Sequence, residues 1–599
     1  MSQSYDPLSA QKSGSALIQD YLAIGIDFGT TYSGVSWASS KSWARSQWNP
    51  FQVKDILNWP SGDYLFEEAQ VPTLLNPKTG EWGFQVFPQS DPLRWFKLLL
   101  VDEADLDDDL KKSEQLKESR TRAEAFPGGV DQLISNFLGK LWNHTLEELG
   151  ETHVPLSLPL KVAITVPAIW KPYAKERMKR AAIRAGITRP REVGNVTYPT
   201  TLCLVEEPEA AALWTLREYN DSVKLEVGET FIVCDCGGGT VDIITYQVTS
   251  NEPFTVKEAV KGDGRLCGGF LIDQAFENHI NSPAVRFKFG KCHPEEFREF
   301  VNTEWERTLK RRFRATSGSR YLLRPPFTAI SKWERWWPAP GGKGPKFSLD
   351  NGVIQRFFSD SRVGILLLIG EQYKRLGAKN LEPTNILFVG GLGDSRYLYS
   401  ELNLLYPNLR QTGCSWSAVA RGAVITVLEG GKAIDSRVAR LSYGVQVQGY
   451  SHRVLLASTD DESDSQNHSD LEEERHARRM IWYLREGEAV DNRAPVTYNF
   501  RMDIGKQEKA EVKMAIYVSD ENPPPAHVNR SVQKLCDLQC PLSIPWHHLP
   551  TARGPRGRVS GRLADVQLTM KFEGRPKWTL SVGHIGDTIE EDVNILYGN

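Results

Sequence analysis

The sequence lacks the features of a secreted, membrane-spanning or polyanion-binding protein. Only 8 of its 599 residues are cysteine, and they form no dense framework, which is typical of a reducing compartment. Its longest uncharged apolar runs, such as 363–369, fall far short of the ~20 residues that cross a bilayer. Lysine plus arginine (72) nearly balance aspartate plus glutamate (75), so the net charge of the chain does not favour binding of nucleic acid. We therefore expect a monomer that is found in the cytoplasm, or also in the nucleus. We expect it to bind neither nucleic acid nor membranes.

Two common nucleotide-binding motifs are also missing. No Gly-x-x-x-x-Gly-Lys-Ser/Thr occurs, and no Gly-x-Gly-x-x-Gly occurs at a strand-to-helix junction. These absences count against Walker-type and dinucleotide-binding folds.

The length and the pattern of apolar runs predict several domains. One hydrophobic core rarely organises more than about 300 residues, so this chain should contain two to four domains. Strand-like and helix-like segments alternate over 20–432, including helices over 130–149 and 418–428, which predicts an α/β fold. Short alternating runs over 433–599 predict a β-rich domain. We expect a mobile tail at 1–19 and a disordered acidic loop at 459–474.

One local pattern occurs twice in the α/β part. An apolar strand over 22–26 ends at Asp27-Phe28-Gly29-Thr30-Thr31, and an extended segment follows. A second apolar strand over 231–234 ends at Asp235-Cys236-Gly237-Gly238-Gly239-Thr240, again before an extended segment. The repeat predicts a duplicated fold, with lobe I at 20–215 and lobe II at 216–432.

These two turns suit polyphosphate and magnesium. Backbone N–H groups in a tight turn bind phosphate oxygens, and small residues let the phosphate approach. An aspartate at the strand end can hold the water shell of Mg²⁺, because this ion keeps most of its waters. One such turn is most simply an ordinary turn. Two of them, each after a buried strand, favour a site in which Asp27 and Asp235 face one cation.

Several segments together resemble the 70-kDa heat-shock protein family of the actin-like ATPase superfamily. Residues 23–33 resemble its first phosphate motif, and residues 235–242 resemble its second. Residues 389–391 resemble its adenosine motif, and residues 205–212 and 418–423 resemble its two connecting helices. The resemblance implies a duplicated two-lobe, actin-like (ribonuclease-H-like) α/β ATPase domain followed by a β-rich C-terminal domain.

The resemblance also implies Mg-dependent ATP binding with slow hydrolysis to ADP, and it assigns residues to these roles. Asp27 and Asp235 would hold Mg²⁺. The implied catalytic residues are Lys97, Glu207, Asp235, Thr240 and Asp242. The implied nucleotide contacts are Gly29, Thr30, Thr31, Tyr32, Gly237, Gly238, Gly239, Lys310, Arg311, Gly390, Gly391 and Arg396.

The chain departs from the family pattern at three places. The segment from Gly390 to Arg396 replaces Gly-Gly-Ser-x-Arg, and Glu306 and Lys310 are one residue further apart than their family counterparts. The family's apolar linker is replaced by 432–437, so we expect weak coupling between domains.

The β-rich part faintly resembles the family's peptide-binding sandwich without a helical lid, as in the divergent group of vertebrate members 12A and 12B. Extended peptides or client proteins are therefore implied partners.

Three alternatives stay open. A nucleotide-sensing adaptor would bind ATP with little hydrolysis. A small-molecule kinase of the same superfamily would need an acceptor pocket, since fold does not fix function. The β-rich part could also be an unrelated β domain.

Overall fold

The computed structural model describes most of the chain. The described ranges are 20–45, 52–61, 66–87, 90–106, 111–152, 154, 156–218, 225–251, 254–286, 292–315, 319–324, 347–411, 416–448, 478–491, 495–504, 511–542, 545–553, 559–572, 576–582 and 587–589. The predicted tail at 1–19 and the predicted acidic loop at 459–474 lie outside the described residues.

A six-stranded mixed sheet holds the first predicted phosphate turn. The first ten strands, β1 to β10, are Leu22–Phe28, Tyr32–Ser39, Lys54–Asp55, Asn58–Trp59, Phe66–Glu67, Val71–Pro72, Leu160–Val166, Arg191–Val193, Val196–Tyr198 and Thr200–Glu206. The sheet order is β10-β7-β1-β2-β3, with β6 beside β2. β1 pairs antiparallel with β2 and parallel with β7. Ile24, Gly25 and Ile26 are consecutive buried residues because both faces of this sheet are covered.

Helices and short 3₁₀ segments cover this sheet. The helices α1 to α5 are Ser40–Arg45, Glu114–Glu124, Gly129–Glu151, Pro172–Arg184 and Glu207–Glu218. The 3₁₀ segments are Gly83–Gln85, Phe96–Leu100 and Glu103–Asp105. Leu133, Phe137 and Leu141 are fully buried at four-residue spacing, so one face of α3 packs into the core. The helix predicted over 130–149 is therefore present with slightly wider bounds.

A second mixed sheet holds the second predicted phosphate turn. Strands β11 to β18 are Thr230–Cys236, Val241–Asn251, Phe254–Arg265, Arg320–Leu323, Phe347–Asp350, Pro383–Val389, Leu409–Gln411 and Ile434–Val438. The order β17-β16-β11-β12-β13 again places an antiparallel hairpin beside two parallel strands. β14 and β15 form a separate hairpin. The two large sheets therefore share one local topology around their phosphate turns.

The helices that accompany the second sheet include one wide, π-helical segment. Helices α6 to α13 are Gly269–Asn281, Pro283–Arg286, Pro294–Phe300, Lys310–Arg312, Asn351–Phe357, Ser359–Gly377, Arg396–Asn403 and Ala418–Leu428. The π-helix is Val301–Leu309, between α8 and α9. Among the helices of the described ranges, none has both the length and the apolar character needed to cross a membrane.

Helices α5 and α13 approach each other at backbone distance. A β-carbon added to Gly422 would lie 1.7 Å from the Ala210 carbonyl oxygen. On another side of α13, a β-carbon added to Gly25 of β1 would lie 2.2 Å from the Ala420 carbonyl oxygen. The small residues of these helices therefore serve close packing, which explains why the sequence is rich in alanine and glycine there.

The remaining strands form two antiparallel sheets, except for the short strand Ala489–Asp491, which joins the second mixed sheet. Strands β19 to β28 are Ser442–Gln448, Arg478–Leu484, Ala489–Asp491, Val496–Ile504, Glu511–Ser519, Gln533–Pro541, Thr551–Arg553, Val559–Phe572, Pro576–Val582 and Asp587–Ile589. The sheet orders are β20-β19-β23-β24 and β22-β26-β27-β28, with β25 beside β26. Val445, Ile516, Leu568 and Trp578 belong to one buried apolar cluster that both sheets share.

The predicted linker forms a strand of the second sheet, between β13 and β21. β18 pairs parallel with β13 and antiparallel with β21, and its residues Ile434 and Val438 are buried. The Arg437 guanidinium donates to both carboxylate oxygens of Glu209, at 2.8 and 2.9 Å. The linker therefore docks without the leucine-rich run of the family, through two aliphatic side chains and a buried ion pair.

Candidate functional site

A cavity of about 300 Å³ lies between the turns that follow β1 and β11. It brings together all the predicted site residues except Asp242 and Arg396. The predicted residues that line it are Asp27, Gly29, Thr30, Thr31, Tyr32, Lys97, Glu207, Asp235, Gly237, Gly238, Gly239, Thr240, Lys310, Arg311, Gly390 and Gly391. Residues that lie up to 364 positions apart in the sequence (27 to 391) therefore face one space.

The two glycine turns touch each other across this cavity. A β-carbon added to Gly238 would lie 2.1 Å from the Thr31 hydroxyl oxygen, and one added to Gly239 would lie 2.3 Å from the Thr30 hydroxyl oxygen. The Gly237 N–H donates to the Thr240 carbonyl at 2.9 Å, which closes the second turn. Only glycine fits at these two positions, so Gly238 and Gly239 are required by the approach of the two turns.

A buried ion pair lies in the cavity wall. The Nζ of Lys97 is 2.5 Å from Oε1 of Glu207, and their side chains are only 3% and 9% exposed. Lys97 sits on the 3₁₀ segment after Trp95, whose left-handed backbone (φ 61°) redirects the chain. Leu98 and Leu100 of the same segment are buried in the core. These apolar neighbours hold the lysine in the cavity, while Glu207 is presented by the first turn of α5.

Four carboxyl groups crowd around this single lysine. Burial, together with Glu207, raises the pKa of Asp27 to about 7 and that of Asp242 to about 7. Burial raises the pKa of Asp235 well above its usual range, and Glu207, Asp242 and Asp27 raise it further. The carboxyl groups around Lys97 therefore outnumber it, which favours binding of a cation at this end of the cavity.

The acidic residues fit Mg²⁺ rather than a preformed metal cage. In the part of the chain that the structure describes, no group of three or more His, Cys, Asp or Glu side chains is arranged to hold a metal ion. Mg²⁺ needs no such group, because it is typically held by one or two carboxylates with waters and substrate phosphates. Asp27 and Asp235 both line the cavity and satisfy this requirement.

Two predicted residues lie outside the cavity lining. Asp242 pairs with Asp235 across β11 and β12, and its Oδ1 accepts from the Ile169 N–H at 3.2 Å, so it acts on the cavity only through its charge. Arg396 is exposed at the start of α12, where the preceding Ser395 caps the helix by accepting from the Leu398 N–H at 3.4 Å. The nucleotide contact implied for Arg396 is therefore not supported by its position.

Curated relatives match part of this chain. Human heat shock 70 kDa protein 12B is 24% identical over 326 residues, which cover 43% of this chain and 44% of that protein. Human heat shock 70 kDa protein 12A is 25% identical over 341 residues, which cover 46% of this chain and 47% of that protein. The chain is a divergent relative of these two proteins.

The mouse 12A protein gives a similar match, 25% identical over 337 residues, or 45% of this chain and 46% of the relative. The chain thus spans less than half the length of the curated relatives it matches. No protein-family model matches it. The predicted resemblance to the divergent 12A and 12B members is confirmed.

The π-helix explains the altered spacing before Lys310. A π-helix places about one more residue in each turn than an α-helix. The extra residue between Glu306 and Lys310 is absorbed there, and both side chains line the cavity. Lys310 pairs with Asp273 at 2.6 Å. The departure from the family spacing therefore leaves the predicted residue in place.

Sequence reasoning assigned no site role to several residues of the cavity wall, among them Gln70, Glu306 and Trp416. The Gln70 amide donates to the Trp416 carbonyl at 2.8 Å. Gln70 and Trp416 are far apart in the sequence and belong to no motif that we quoted. The only available signal was that Trp416 lies two residues before α13, just ahead of the segment 418–423 that resembles a connecting helix.

Proposed function

We propose that this chain binds ATP with Mg²⁺ in the cavity and hydrolyses it slowly to ADP and phosphate, as a two-lobed ATPase of the actin-like type. One observation carries the proposal: two turns from different sheets present Asp27 and Asp235 to a single cavity, next to the buried pair of Lys97 and Glu207. The common topology of the two sheets and the similarity to heat shock 70 kDa proteins 12A and 12B support it.

Phosphoryl transfer to water asks a protein mainly for positioning and charge stabilisation. The backbone N–H groups of the turns at Thr30–Thr31 and 237–240 would bind the β- and γ-phosphates. Lys97 would neutralise the γ-phosphate. Glu207 and Thr240 would orient the attacking water or the water shell of the metal, and Asp242 would act on them through its charge. Asp27 and Asp235 would hold Mg²⁺ through its waters, and the ion would supply positive charge that stabilises the phosphates.

Single-turnover hydrolysis of radiolabelled ATP tests this proposal. Removing one preorganised charge typically costs about 10²–10³ in rate, so Asp235→Ala should suppress hydrolysis by that factor. Asp565→Ala is a matched control, because Asp565 pairs with Arg501 in the exposed part of another sheet. Unchanged hydrolysis in the Asp235 variant would refute the assignment. Calorimetric ATP binding without measurable turnover in the native chain would instead favour a nucleotide-sensing adaptor.

We further propose that the two antiparallel sheets bind extended peptide. A second cavity, of about 130 Å³, is lined by Val445, Phe500, Met502, Met514 and Tyr517 among others. Edge strands accept a peptide through backbone hydrogen bonds, and apolar pockets select its side chains. Fluorescence anisotropy of an apolar peptide should show binding that Met502→Asp weakens and that Leu404→Asp, at an exposed site of α12's end, does not.

The same titration in ATP and in ADP tests coupling. Ile434 is the only large aliphatic residue between Gly431 and Arg437, so we expect peptide affinity to differ by less than about tenfold, or ~1.4 kcal/mol. A hundredfold difference would show that the docked linker transmits the nucleotide state despite this composition.

A further inference from the structure

Two side chains from different segments hold the two oxygens of the Asp27 carboxylate. The hydroxyl of Thr165, on the strand β7 that pairs with β1, donates to Oδ1 at 3.2 Å. The amide nitrogen of Gln70 donates to Oδ2 at 3.5 Å. An ionised carboxylate has about four lone-pair positions, so each oxygen can still accept from another donor. The carboxylate is therefore oriented by the protein while it remains able to hold a hydrated cation.

The side chain of Gln70 is itself held in one orientation. Its amide nitrogen also donates to the carbonyl oxygen of Trp416 at 2.8 Å. Since a carbonyl oxygen only accepts, the NH₂ group must face Trp416, and its second hydrogen is left for Asp27. A β-carbon added to Gly34 would lie 3.2 Å from Cγ of Gln70, so the stem of the side chain packs against the backbone of β2. These contacts leave both amide hydrogens engaged.

The hydroxyl of Thr165 has a reason to point at Asp27. Thr165 is fully buried, and its neighbours Ile164 and Val166 on β7 are apolar. A buried hydroxyl is costly unless it forms a hydrogen bond. The carbonyl oxygen of Ile26 lies 3.4 Å away, further than the 3.2 Å to Asp27. The single hydrogen of this hydroxyl is therefore best used on the carboxylate.

We infer that Gln70 and Thr165 are positioning residues for the Mg²⁺ that Asp27 would hold. This inference rests on the proposed function and adds to it the two residues that orient one metal-holding carboxylate. Removing a group that orients a metal-holding residue typically changes metal affinity or activity by about ten- to a hundredfold. Loss of either residue should therefore weaken nucleotide binding only where the metal contributes to it.

Calorimetric titration of the full chain with ADP, in Mg²⁺ and in excess EDTA, tests the inference without requiring hydrolysis. Gln70→Met keeps an unbranched side chain of similar length but removes the amide. Thr165→Val removes the hydroxyl at nearly constant shape, and Thr165→Ser restores it. Thr245→Val is the matched control, because Thr245 is also a fully buried strand residue, and its hydroxyl donates to Gln372 at 2.8 Å outside the cavity lining.

We expect Mg²⁺ to strengthen ADP binding by the native chain. Gln70→Met and Thr165→Val should each lose at least about tenfold in affinity in Mg²⁺, and each should stay within about twofold of the native chain in EDTA. Thr165→Ser should recover most of what Thr165→Val loses, and Thr245→Val should bind ADP as the native chain does. Equal losses in Mg²⁺ and in EDTA would overturn the inference, because they would show that the two residues contact the nucleotide or only support the fold. Native affinity in Mg²⁺ for both variants would overturn it as well.

Two results for the native chain separate this inference from the proposed function. Failure to bind ADP in Mg²⁺ would overturn the proposed function, and this inference with it. ADP affinity that is the same in Mg²⁺ and in EDTA would leave nucleotide binding intact but would overturn the metal-holding role of Asp27, on which the inference depends.

Discussion

Replacing Lys97 by methionine should separate its role in stability from its role toward phosphate. The lysine and Glu207 are almost completely buried, with 2.5 Å between Nζ and Oε1. Removing one partner of a buried pair typically costs about 3–5 kcal/mol, because the remaining charge is left without compensation. Here the loss also leaves Asp27 and Asp235 without their nearest cation. We therefore expect the free energy of unfolding to fall by about 3–5 kcal/mol.

The double variant Lys97→Met/Glu207→Gln removes both charges at nearly constant volume. Its unfolding free energy should return to within about 2 kcal/mol of the native value, since an ion pair and a neutral pair of similar shape are often nearly equivalent. Urea denaturation without nucleotide measures all three chains. Lys117→Met is the matched control, because Lys117 forms only an exposed pair with Glu114 and its loss should barely move the midpoint.

The rate of hydrolysis should not follow the free energy of unfolding across these variants. Both Lys97 variants should lose about 10²–10³ in single-turnover rate, although only one of them is strongly destabilised. A double variant as unstable as the single one would show that Lys97 and Glu207 do not stabilise each other. That result would contradict their contact at the start of α5. Hydrolysis at the native rate in Lys97→Met would refute the role of the lysine toward phosphate.

Three further outcomes follow from the cavity and the linker. Because burial holds the pKa of Asp242 at about 7 in the folded chain, against ~4 when unfolded, the folded state loses stability as pH rises through this range. Asp242→Asn should therefore gain thermal stability over the native chain progressively from pH 5 to pH 8, and a constant difference would contradict the cause. Gly238→Ala should lower ATP affinity at least tenfold in calorimetry, since the added methyl would lie 2.1 Å from a facing hydroxyl, whereas Gly352→Ala, with open space around it, should not. Arg437→Gln should speed amide hydrogen exchange over 434–438 by removing the linker's buried ion pair, and unchanged exchange would show that strand pairing alone holds the linker.

The two Asp-x-Gly turns could be located from the sequence because their pattern is local, and their role toward phosphate stays a prediction. A buried strand that ends in aspartate, glycine and small hydroxyls is recognisable within about ten residues, and both turns line the cavity as expected. The helix predicted over 418–428 has these bounds in the structure, since its small residues give a clear helical segment. Lys97 and Glu207 followed from the family resemblance, and their contact across 110 positions could not be derived from spacing.

The positions that sequence reasoning left open all involve contacts between distant segments. Arg396 belongs to a motif in sequence and is exposed at the start of α12, where Ser395 caps the helix, so its nucleotide contact stays a prediction. Trp416 belongs to no motif and becomes part of the wall only when Gln70 and Tyr32 are brought beside it. The linker was judged by its shortage of aliphatic residues, yet Arg437 docks it against Glu209, whose position depends on the folding of α5.

The start of α5 has a consequence for genetics as well as for chemistry. Three neighbouring carboxylates point to three segments: Glu206 to Lys175 of α4, Glu207 to Lys97 in the cavity, and Glu209 to the docked linker. Glu206 ends β10, whereas Glu207 and Glu209 lie on α5, where successive residues point in directions about 100° apart. A one-residue insertion or deletion here would therefore move these carboxylates away from their cations. A single insertion or deletion in this turn should therefore impair both hydrolysis and linker docking.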